Sequence, residues 1–518
     1  MIPQPYLNES SVICLITTTE VDFGIRSLSS FLKDRGRQVV LGFFNSRGLY
    51  TEAELKNIRV WVRAINSAVI GISSLECSRA KACQLITALR GEGRIIVVGG
   101  ADATLNPGYY LDYADFVIRG EAEEALAEFV AAVLSGKDSV DIANVCYRTK
   151  EGNTIENCVR PLIENIDTIP HEDFLDIDHH YELLKGEVHR KTGFVQTLED
   201  PLIPYAASIC LFTIRGCYFN CSFCGSAQSQ QLNPREINVR KRSIRHVIER
   251  VEQLRSAEPS TEMVYFFEDD FFFRTLDEIK EFSAAWKNRI DLPFYVHASP
   301  NTLNEDKLKE LLAAGLVLIS VGIQTGSSRI NNELYHRNVS NEATVQASVL
   351  LHRYIGSGKF GLAMPCYSFI INNPYETRDD LLQTIFLFQT LPKPYYVKTP
   401  SLELFQGTKL FLKAIVDGKI TGIDETTKYN FHDTLRHFKY LIHRGGDYYL
   451  NSLLYWMNGF HTKERYGIVF RVLLNVLIKP YWIDFFNRNP LFVTILNHVL
   501  PTHIRTQNIK MKLLRMQM

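Results

Sequence analysis

Three cysteines in one short segment are the residues whose types and spacing could do chemistry. Cys217, Cys221 and Cys224 are separated by three and then two residues, and they directly follow the apolar run 207–214. This spacing can bring three thiolates to one side of a tight loop, and three thiolates on a four-iron cluster leave one iron open to a substrate. The alternatives are a zinc site or buried structural thiols, but zinc usually has a fourth ligand at short spacing and none is nearby. The pattern therefore favours an iron–sulfur cluster.

The segment from Arg215 to Cys224 resembles the radical S-adenosylmethionine (radical SAM) superfamily. In that family the open iron binds the amino and carboxylate groups of S-adenosylmethionine (SAM), and an electron from the cluster cleaves the sulfonium to give a 5′-deoxyadenosyl radical. The resemblance implies that Cys217, Cys221 and Cys224 are the cluster ligands. It also implies that Phe223 lies beside the adenine.

Composition bounds the class of protein. The 518 residues suffice for two or three domains, and 57 basic residues balance 57 acidic ones, which gives no sign of a nucleic-acid partner. The cysteines outside the triad are scattered through apolar segments, as expected for free thiols in a reducing cytosol. We see no signal peptide, and the longest apolar run near the end, 467–478, is too short to span a bilayer. These features predict a cytoplasmic protein, either soluble or peripherally attached at the inner membrane.

Strands and helices are predicted to alternate through residues 1–143. The predicted strands are 12–16, 39–44, 68–72, 95–98 and 116–118, and the predicted helices are 24–36, 52–66, 79–91 and 122–135. This alternation predicts a doubly wound, Rossmann-like parallel sheet, which binds ligands in the loops at the carboxyl ends of its strands. Three of those loops, 22–24, 71–74 and 99–100, contain the small residues that let a bulky ligand approach the backbone.

These loops, directly upstream of the cysteine loop, resemble the cobalamin-binding domain of B12-dependent radical SAM enzymes. Cobalamin domains of the methionine-synthase type carry a histidine that binds cobalt from below, but the equivalent segment 19–24 has none. The alternative is a flavodoxin-like module that has lost its ligand or serves only as a lid. The resemblance implies cobalamin contacts at Gly24, Ile25, Ser73, Ser74, Gly99, Gly100, Gly120 and Glu121.

Three further regions complete the predicted organisation. Residues 144–204 are predicted to be a proline-punctuated linker with a short hairpin. Residues 205–419 again alternate strand and helix, and the six predicted strands match the partial (β/α)6 barrel of radical SAM enzymes. Residues 420–518 are predicted to be a helical region that caps the barrel, and their basic amphipathic stretches suit peripheral contact with an anionic membrane.

Polar residues follow several barrel strands, where a SAM pocket requires them. The resemblance implies that Glu268, Asp269 and Asp270 lie where the family contacts the methionine amino group, because a carboxylate pairs directly with an ammonium. Gln324 and Thr325 match the start of the family's E-S-G-S motif near the ribose and carboxylate of SAM. Gln324 replaces the usual glutamate, which keeps hydrogen bonding but removes one charge.

The combined resemblance implies a cobalamin-dependent radical SAM enzyme that uses a [4Fe-4S] cluster, SAM and cobalamin. We favour a C-methyltransferase that acts on an unactivated carbon through methylcobalamin and the 5′-deoxyadenosyl radical. One alternative is a ring-forming or rearranging enzyme that uses cobalamin without methyl transfer. Another is a sensor that binds cobalamin or a cluster without turnover. The expected partners are a small-molecule substrate of hydrophobic character and an electron donor such as flavodoxin or ferredoxin.

Overall fold

A computed structural model describes residues 11–421 except for 47, 92, 198–206 and 234–238. The predicted C-terminal helical region, 420–518, and the membrane contact expected of it lie almost wholly outside the described residues. Among the helices that are described, none is both long and apolar enough to cross a membrane.

The first sheet has nine strands in the order β7-β6-β5-β4-β3-β1-β2-β8-β9. The central part, β5-β4-β3-β1-β2, is parallel and has the flavodoxin-like order, with its switch point between β1 and β3. Its strands are β1 (Ile13–Thr17), β2 (Val39–Phe43), β3 (Val69–Ser73), β4 (Ile95–Gly99) and β5 (Phe116–Ile118), and its helices are α1 (Phe23–Asp34), α2 (Glu52–Ile65), α3 (Arg79–Leu89), α4 (Ala101–Leu105), α5 (Pro107–Tyr110) and α6 (Glu123–Leu134).

Helices cover both faces of this sheet. In β1, Ile13 and Leu15 pack into one hydrophobic core, whereas Cys14 and Ile16 pack into the other. Successive residues of a strand face opposite sides, so a strand buried on both faces reads as a continuous apolar run. All the strands and helices predicted for residues 1–143 are present, and the doubly wound sheet is confirmed.

The segment predicted as a linker extends the first sheet at both edges. On one side the hairpin of β6 (Val145–Arg148) and β7 (Thr154–Glu156) adds to β5. On the other side β8 (His180–Leu184) pairs with β2 and turns back as β9 (Glu187–Arg190). The sequence predicted one hairpin here and no second one, because these strands are short and largely polar and lack an apolar alternation.

The second sheet supplies the predicted barrel. It runs β10-β11-β14-β15-β16-β17-β18, and all its pairs are parallel except β10 with β11. Its strands are β10 (Gln196–Thr197), β11 (Ala207–Leu211), β14 (Met263–Phe266), β15 (Phe294–Ala298), β16 (Leu316–Gln324), β17 (Cys366–Phe369) and β18 (Tyr396–Lys398). The accompanying elements are the ladder of β12 (Ile214–Arg215) with β13 (Arg240–Lys241) and the helices α7 (Gly225–Ser229), α8 (Ile244–Ala257), α9 (Leu276–Arg289), α10 (Glu305–Ala314), α11 (Asn341–Arg353), α12 (Arg378–Thr390) and α13 (Lys409–Val416).

The six predicted parallel strands are thus present. Each strand alternates between two environments: in β14, Val264 and Phe266 pack under the surrounding helices, for example against Trp286. Met263 and Tyr265 instead pack with side chains from other strands, inside the barrel. The carboxyl ends of these strands therefore frame one opening, and the cysteine loop follows the first of them.

Candidate functional site

The cysteine loop is held by the ends of two helical segments. The backbone N–H of Ser222 donates to the carbonyl of Tyr335 at 2.9 Å, and its hydroxyl donates to the carbonyl of Leu334 at the end of a π-helix, Ile330–Leu334. The carbonyl of Ser222 accepts from the N–H of Leu410 in α13 at 2.9 Å. Ser222 itself is buried. These contacts fix the loop midway between its second and third cysteines.

The three thiols lie in one electrostatic environment. Burial raises the pKa of Cys217 to about 12 and that of Cys221 to about 11, and the neighbouring thiols act in the same direction. The buried guanidinium of Arg337 opposes this rise at Cys221. Cluster iron deprotonates such thiols, so a positive charge beside them suits a cluster carried by thiolates. These residues fit a three-cysteine cluster site.

A single-ion metal site is a different arrangement. Within the described ranges, no group of three or more His, Cys, Asp and Glu side chains is placed to surround one metal ion. In an iron–sulfur cluster each thiolate binds a different iron, so the three sulfurs do not converge on one point. The assignment of Cys217, Cys221 and Cys224 as cluster ligands stays our proposal.

Phe223, inside the cysteine loop, packs against aromatic and apolar side chains. Its half-buried ring meets Tyr335 edge-on, with 4.7 Å between ring centroids, and packs against the hydrophobic cluster that contains Tyr335 and Leu410. This packing holds the ring at the cysteine loop. Its expected place beside the adenine stays a prediction.

Two of the three predicted carboxylates are engaged inside the protein. Glu268 is fully buried and accepts from the Thr213 hydroxyl at 2.7 Å, and burial raises its pKa to about 7. Asp270 is also buried and accepts from the Ser299 N–H at 2.8 Å and from the Thr302 hydroxyl at 2.6 Å. These two side chains organise the strand ends, and neither carboxylate is open to a ligand.

Asp269 differs from its neighbours. Its side chain is exposed and has no hydrogen-bond partner among the residues that the structure describes. The surrounding protein nevertheless raises its pKa by desolvation, and its charge acts on all three cysteine thiols. An exposed carboxylate beside the cysteine loop is well placed to pair with an ammonium. We therefore propose Asp269 as the contact for the amino group of SAM.

The residues at the end of β16 also divide into those engaged within the protein and one that is open to a ligand. Gln324 adopts a left-handed backbone with φ of 74°, and its half-buried amide has no partner among the described residues. The buried hydroxyl of Thr325 accepts from the N–H of Ser327 at 3.1 Å. Gly326 packs so closely on α12 that a Cβ would lie 2.6 Å from Cα of Thr384. Thr325 and Gly326 thus shape the turn, and Gln324 is the side chain available to a ligand.

The loop after β1 opens toward the barrel. Asp22 caps α1 by accepting from the N–H of Ile25 at 3.0 Å, which fixes Gly24 at the helix start. The Ile25 side chain is buried in the core, so only its backbone can contact a ligand. The ring of Phe23 stacks on Phe212 at the end of β11 with 5.7 Å between centroids.

The loops after β3 and β4 pack on each other. Gly100 has φ of 97°, and a Cβ on it would lie 2.6 Å from the carbonyl oxygen of Ser74. The Ser74 hydroxyl is buried against the Tyr110 hydroxyl at 2.6 Å, whereas Ser73 and Gly99 are half-buried. Small residues and backbone, with few free polar side chains, therefore make up this edge.

The residues at this edge of the sheet determine how the protein could contact cobalamin. The first histidine of the chain is His171, so the loops after β1, β3 and β4 can supply no imidazole to cobalt. The small residues and backbone present there fit a cobalamin held from the side by main-chain groups.

The two remaining residues predicted to contact cobalamin, Gly120 and Glu121, lie at the boundary between the domains. Gly120 has φ of 71°, and its N–H donates to the Thr104 hydroxyl at 3.0 Å. The Glu121 carboxylate accepts from both terminal nitrogens of Arg240 at 2.6 and 2.8 Å. Its side chain is therefore engaged with the barrel domain.

A second ion pair joins the same boundary to the cysteine loop. Arg215, two residues before Cys217, donates to Glu123 at 2.6 Å and to the Ser27 hydroxyl at 3.1 Å. Both charged groups are largely buried, with side-chain exposures of 19% and 5%. Sequence reasoning missed this pair because its members are 92 positions apart. No spacing rule connects them.

Comparison with known families matches two separate regions of the chain. The radical SAM superfamily model matches residues 211–388, and the B12 binding domain model matches residues 12–130. An uncharacterized methyltransferase of Pyrococcus horikoshii is 25% identical over 92% of this chain and 97% of its own length. A bacteriochlorophyllide d C-8(2)-methyltransferase of Chlorobaculum tepidum is 21% identical over 70% of this chain and 71% of its own.

Solved structures show the same fold at low identity. The radical SAM methyltransferase TsrM from Kitasatospora setae superposes with a TM-score of 0.57 at 15% identity, covering 79% of this chain and 75% of that one. The cobalamin-dependent SAM radical enzyme OxsB superposes with a TM-score of 0.67 at 15% identity, covering 98% and 82%. At such identity these likenesses concern the fold alone.

Replacing the proposed cluster ligands tests the cysteine assignment. We expect Cys217→Ala, Cys221→Ala and Cys224→Ala each to abolish the absorbance of an anaerobically reconstituted cluster and the formation of 5′-deoxyadenosine from SAM, because each removes one thiolate. The matched control is Cys210→Ala, a buried thiol in β11 outside the loop, which should retain both. Formation of 5′-deoxyadenosine by Cys224→Ala would show that the assignment is wrong.

Asp269→Asn tests the carboxylate assignment. A charge-assisted hydrogen bond contributes about 1.5–3 kcal/mol, so we expect the KM for SAM to rise roughly 10- to 100-fold while the cluster absorbance stays intact. Asp277→Asn, at an exposed position in the first turn of α9, should leave this KM unchanged. An unchanged KM in Asp269→Asn would remove Asp269 from the SAM site.

Glu123→Gln tests the ion pair between the domains. Loss of one partner leaves the Arg215 charge buried, so we expect a loss of unfolding free energy on the order of 3 kcal/mol and a lower thermal midpoint. The control is Glu124→Gln, an exposed neighbour 3.5 Å from Arg160, which should cost about 0–1 kcal/mol.

The difference in unfolding free energy between wild type and Glu123→Gln depends on pH in a definite direction. Burial alone would raise the pKa of Glu123, but the charge and hydrogen bond of Arg215 outweigh it and lower the pKa below 4.5. The pair therefore contributes its stability above pH 4.5 and loses it as the pH falls below that value. A gap between wild type and Glu123→Gln that stays constant through this acid range would contradict the ion-pair account.

Proposed function

This chain is a radical SAM enzyme with an N-terminal B12-binding domain, and we infer its function from that family membership. Its cofactors are accordingly a [4Fe-4S] cluster, SAM and cobalamin. The observation that carries the functional inference is the position of the cysteine loop, which lies at the carboxyl end of the barrel strands and is joined to the B12-binding domain through Arg215. A site shared by the two domains suits a reaction that needs both cofactors.

We propose that the reaction is transfer of a methyl group from SAM to a carbon of a small-molecule substrate. The methyltransferase relative that aligns over nearly the whole chain supports this choice, as does the methyltransferase of Chlorobaculum tepidum. When bound, the cluster supplies the electron that cleaves SAM to the hydrogen-abstracting radical, and cobalamin supplies the methyl group for an unactivated carbon.

The chain's own residues have distinct parts in this proposal. Cys217, Cys221 and Cys224 hold the cluster, and the buried charge of Arg337 stabilises their thiolate forms. Arg337 is itself fixed by donating to the carbonyl of Gly322 at 2.6 Å. Asp269 and Gln324 bind SAM at the strand ends.

In this proposal the loops after β1, β3 and β4 of the first domain, which contain small residues, bind cobalamin. Their backbone would hold the cofactor, and these loops can supply no imidazole to it, since no histidine precedes His171. The stacked rings of Phe23 and Phe212 pack the boundary between the domains with apolar surface.

We also propose a cytoplasmic setting and an external electron donor such as flavodoxin or ferredoxin. All ten cysteines lie in the described residues and none of them forms a disulfide, which suits a reducing compartment. Peripheral contact with a membrane stays a prediction about residues beyond 421.

Transfer of label from methyl-labelled SAM decides between methyl transfer and ring formation or rearrangement. The reconstituted holoenzyme, given a reductant and the small-molecule extract of a strain that lacks the gene, should form a product that carries the labelled methyl group, together with 5′-deoxyadenosine. Production of 5′-deoxyadenosine with an unlabelled product would favour the ring-forming or rearranging alternative. Absence of 5′-deoxyadenosine under all conditions would favour the sensor.

A further inference from the structure

Four aromatic rings form a ladder inside the barrel. Tyr265 and Phe267 belong to β14 and the residue after it, and Tyr295 and His297 belong to β15. Tyr265 is paired with Tyr295 in the strand register, and their rings are nearly parallel, at 9° with 4.4 Å between centroids. The His297 ring lies at 18° to Tyr265 with 5.5 Å between centroids. Residues two apart on a strand share a face, so the ladder lines the interior.

The ladder reaches the opening where the two domains meet. Phe267 is 47% exposed, although it continues a buried strand. Its ring lies 5.1 Å from Tyr265 and 6.3 Å from His297, and Phe23 of the B12-binding domain lies 6.0 Å away on its other side. Asp269, the proposed SAM contact, is two residues further along. An exposed aromatic side chain at this place is accessible to a ligand that lies next to the two proposed cofactor sites.

His297 adds one polar group to this surface. Its Nε2 lies 2.5 Å from the Tyr265 hydroxyl, and the ring is half-buried. Burial lowers the pKa of His297 to about 4, and the charge of Lys398 acts in the same direction, so the imidazole is neutral at physiological pH. With Nε2 engaged, Nδ1 has no partner among the described residues. Either tautomer leaves Nδ1 as a donor or an acceptor for a ligand.

We propose that this ladder is the substrate site and that the substrate carries a flat, conjugated or aromatic ring system. The ring system stacks on Phe267 and His297, and a polar atom on it hydrogen-bonds to Nδ1 of His297. Offset stacking on several rings favours a flat unsaturated skeleton over a saturated one of equal size. This substrate class rests on the proposed function, since it places the methyl-accepting carbon between the SAM and cobalamin sites.

Two variants separate stacking from hydrogen bonding. Phe267→Leu keeps an apolar side chain but removes the ring, and the exposure of this position spares the core. His297→Phe keeps the ring but removes both nitrogens. The matched control is His352→Asn, whose histidine lies on α11 outside the barrel and contacts the carbonyl of Lys393. Cluster absorbance, thermal midpoint and the KM for SAM verify that each variant is folded and binds SAM.

Binding is measured without turnover. The reconstituted holoenzyme with SAM is incubated with the small-molecule extract of a strain that lacks the gene, and retained compounds are identified by ultrafiltration and mass spectrometry with ultraviolet absorbance. We expect wild type and His352→Asn to retain a compound with conjugated absorbance, and Phe267→Leu and His297→Phe to retain at least tenfold less. Retention of only saturated compounds, or equal retention by all four proteins, would overturn the proposal. So would a changed KM for SAM in Phe267→Leu, because that result would assign the ring to the SAM site.

The labelled-methyl experiment and the binding experiment test separate claims, so either claim can be contradicted while the other stands. A labelled product formed equally by wild type and Phe267→Leu would leave methyl transfer standing and overturn the ladder as the substrate site. Conversely, retention of a conjugated compound that depends on Phe267, without labelled product, would support the site and contradict methyl transfer.

Discussion

The buried ion pair between Arg215 and Glu123 is the interaction on which the position of the cysteine loop relative to the first domain depends. Arg215 enters the cysteine loop, and Glu123 begins the helix that follows the last predicted cobalamin-binding loop. Glu121 and Arg240 pair beside them, so two arginines of one domain meet two glutamates of the other. Buried charges tolerate little displacement, because a shift that separates them leaves each charge without water or partner. The cysteine loop is therefore held at a set distance from the first sheet.

Two parallel sheets meet through their carboxyl ends at this boundary. The first sheet presents small residues such as Gly24 and Gly99, which leave backbone accessible to a large ligand. The barrel presents aromatic and acidic residues such as Phe267 and Asp269. One edge thus suits a bulky macrocycle held by its periphery, and the other suits a charged nucleoside and an apolar substrate.

Burial divides the polar residues of the barrel mouth into two groups. Glu268, Asp270 and Thr325 are enclosed and hydrogen-bonded, so they shape the strand ends from within. Asp269 and Gln324 keep side chains without partners among the described residues, beside the cysteine loop and at the end of β16. A buried carboxylate without a partner would be costly, and Glu268 and Asp270 are accordingly both hydrogen-bonded. Of these five side chains, the fold leaves Asp269 and Gln324 accessible to a ligand.

The sequence by itself determined the elements, the two domain types and the cysteine triad. Local apolar periodicity decides whether a segment is strand or helix, and all the strands and helices predicted for residues 1–143 and all six parallel barrel strands are present. The triad could be recognised because its three cysteines lie within eight residues. The linker hairpins could not be predicted in full, since short polar strands such as Thr154–Glu156 carry no periodic signal.

Only the tertiary structure decided which predicted side chains remain open to ligands and which residues join the domains. Glu268, Asp269 and Asp270 are equivalent in sequence, yet the alternation of the strand end buries two of them and exposes the third. The Arg215–Glu123 pair and the ring ladder from Tyr265 to His297 connect residues 92 and 32 positions apart. Their meeting follows from strand order and domain docking, which depend on long-range packing and leave no local pattern in the chain.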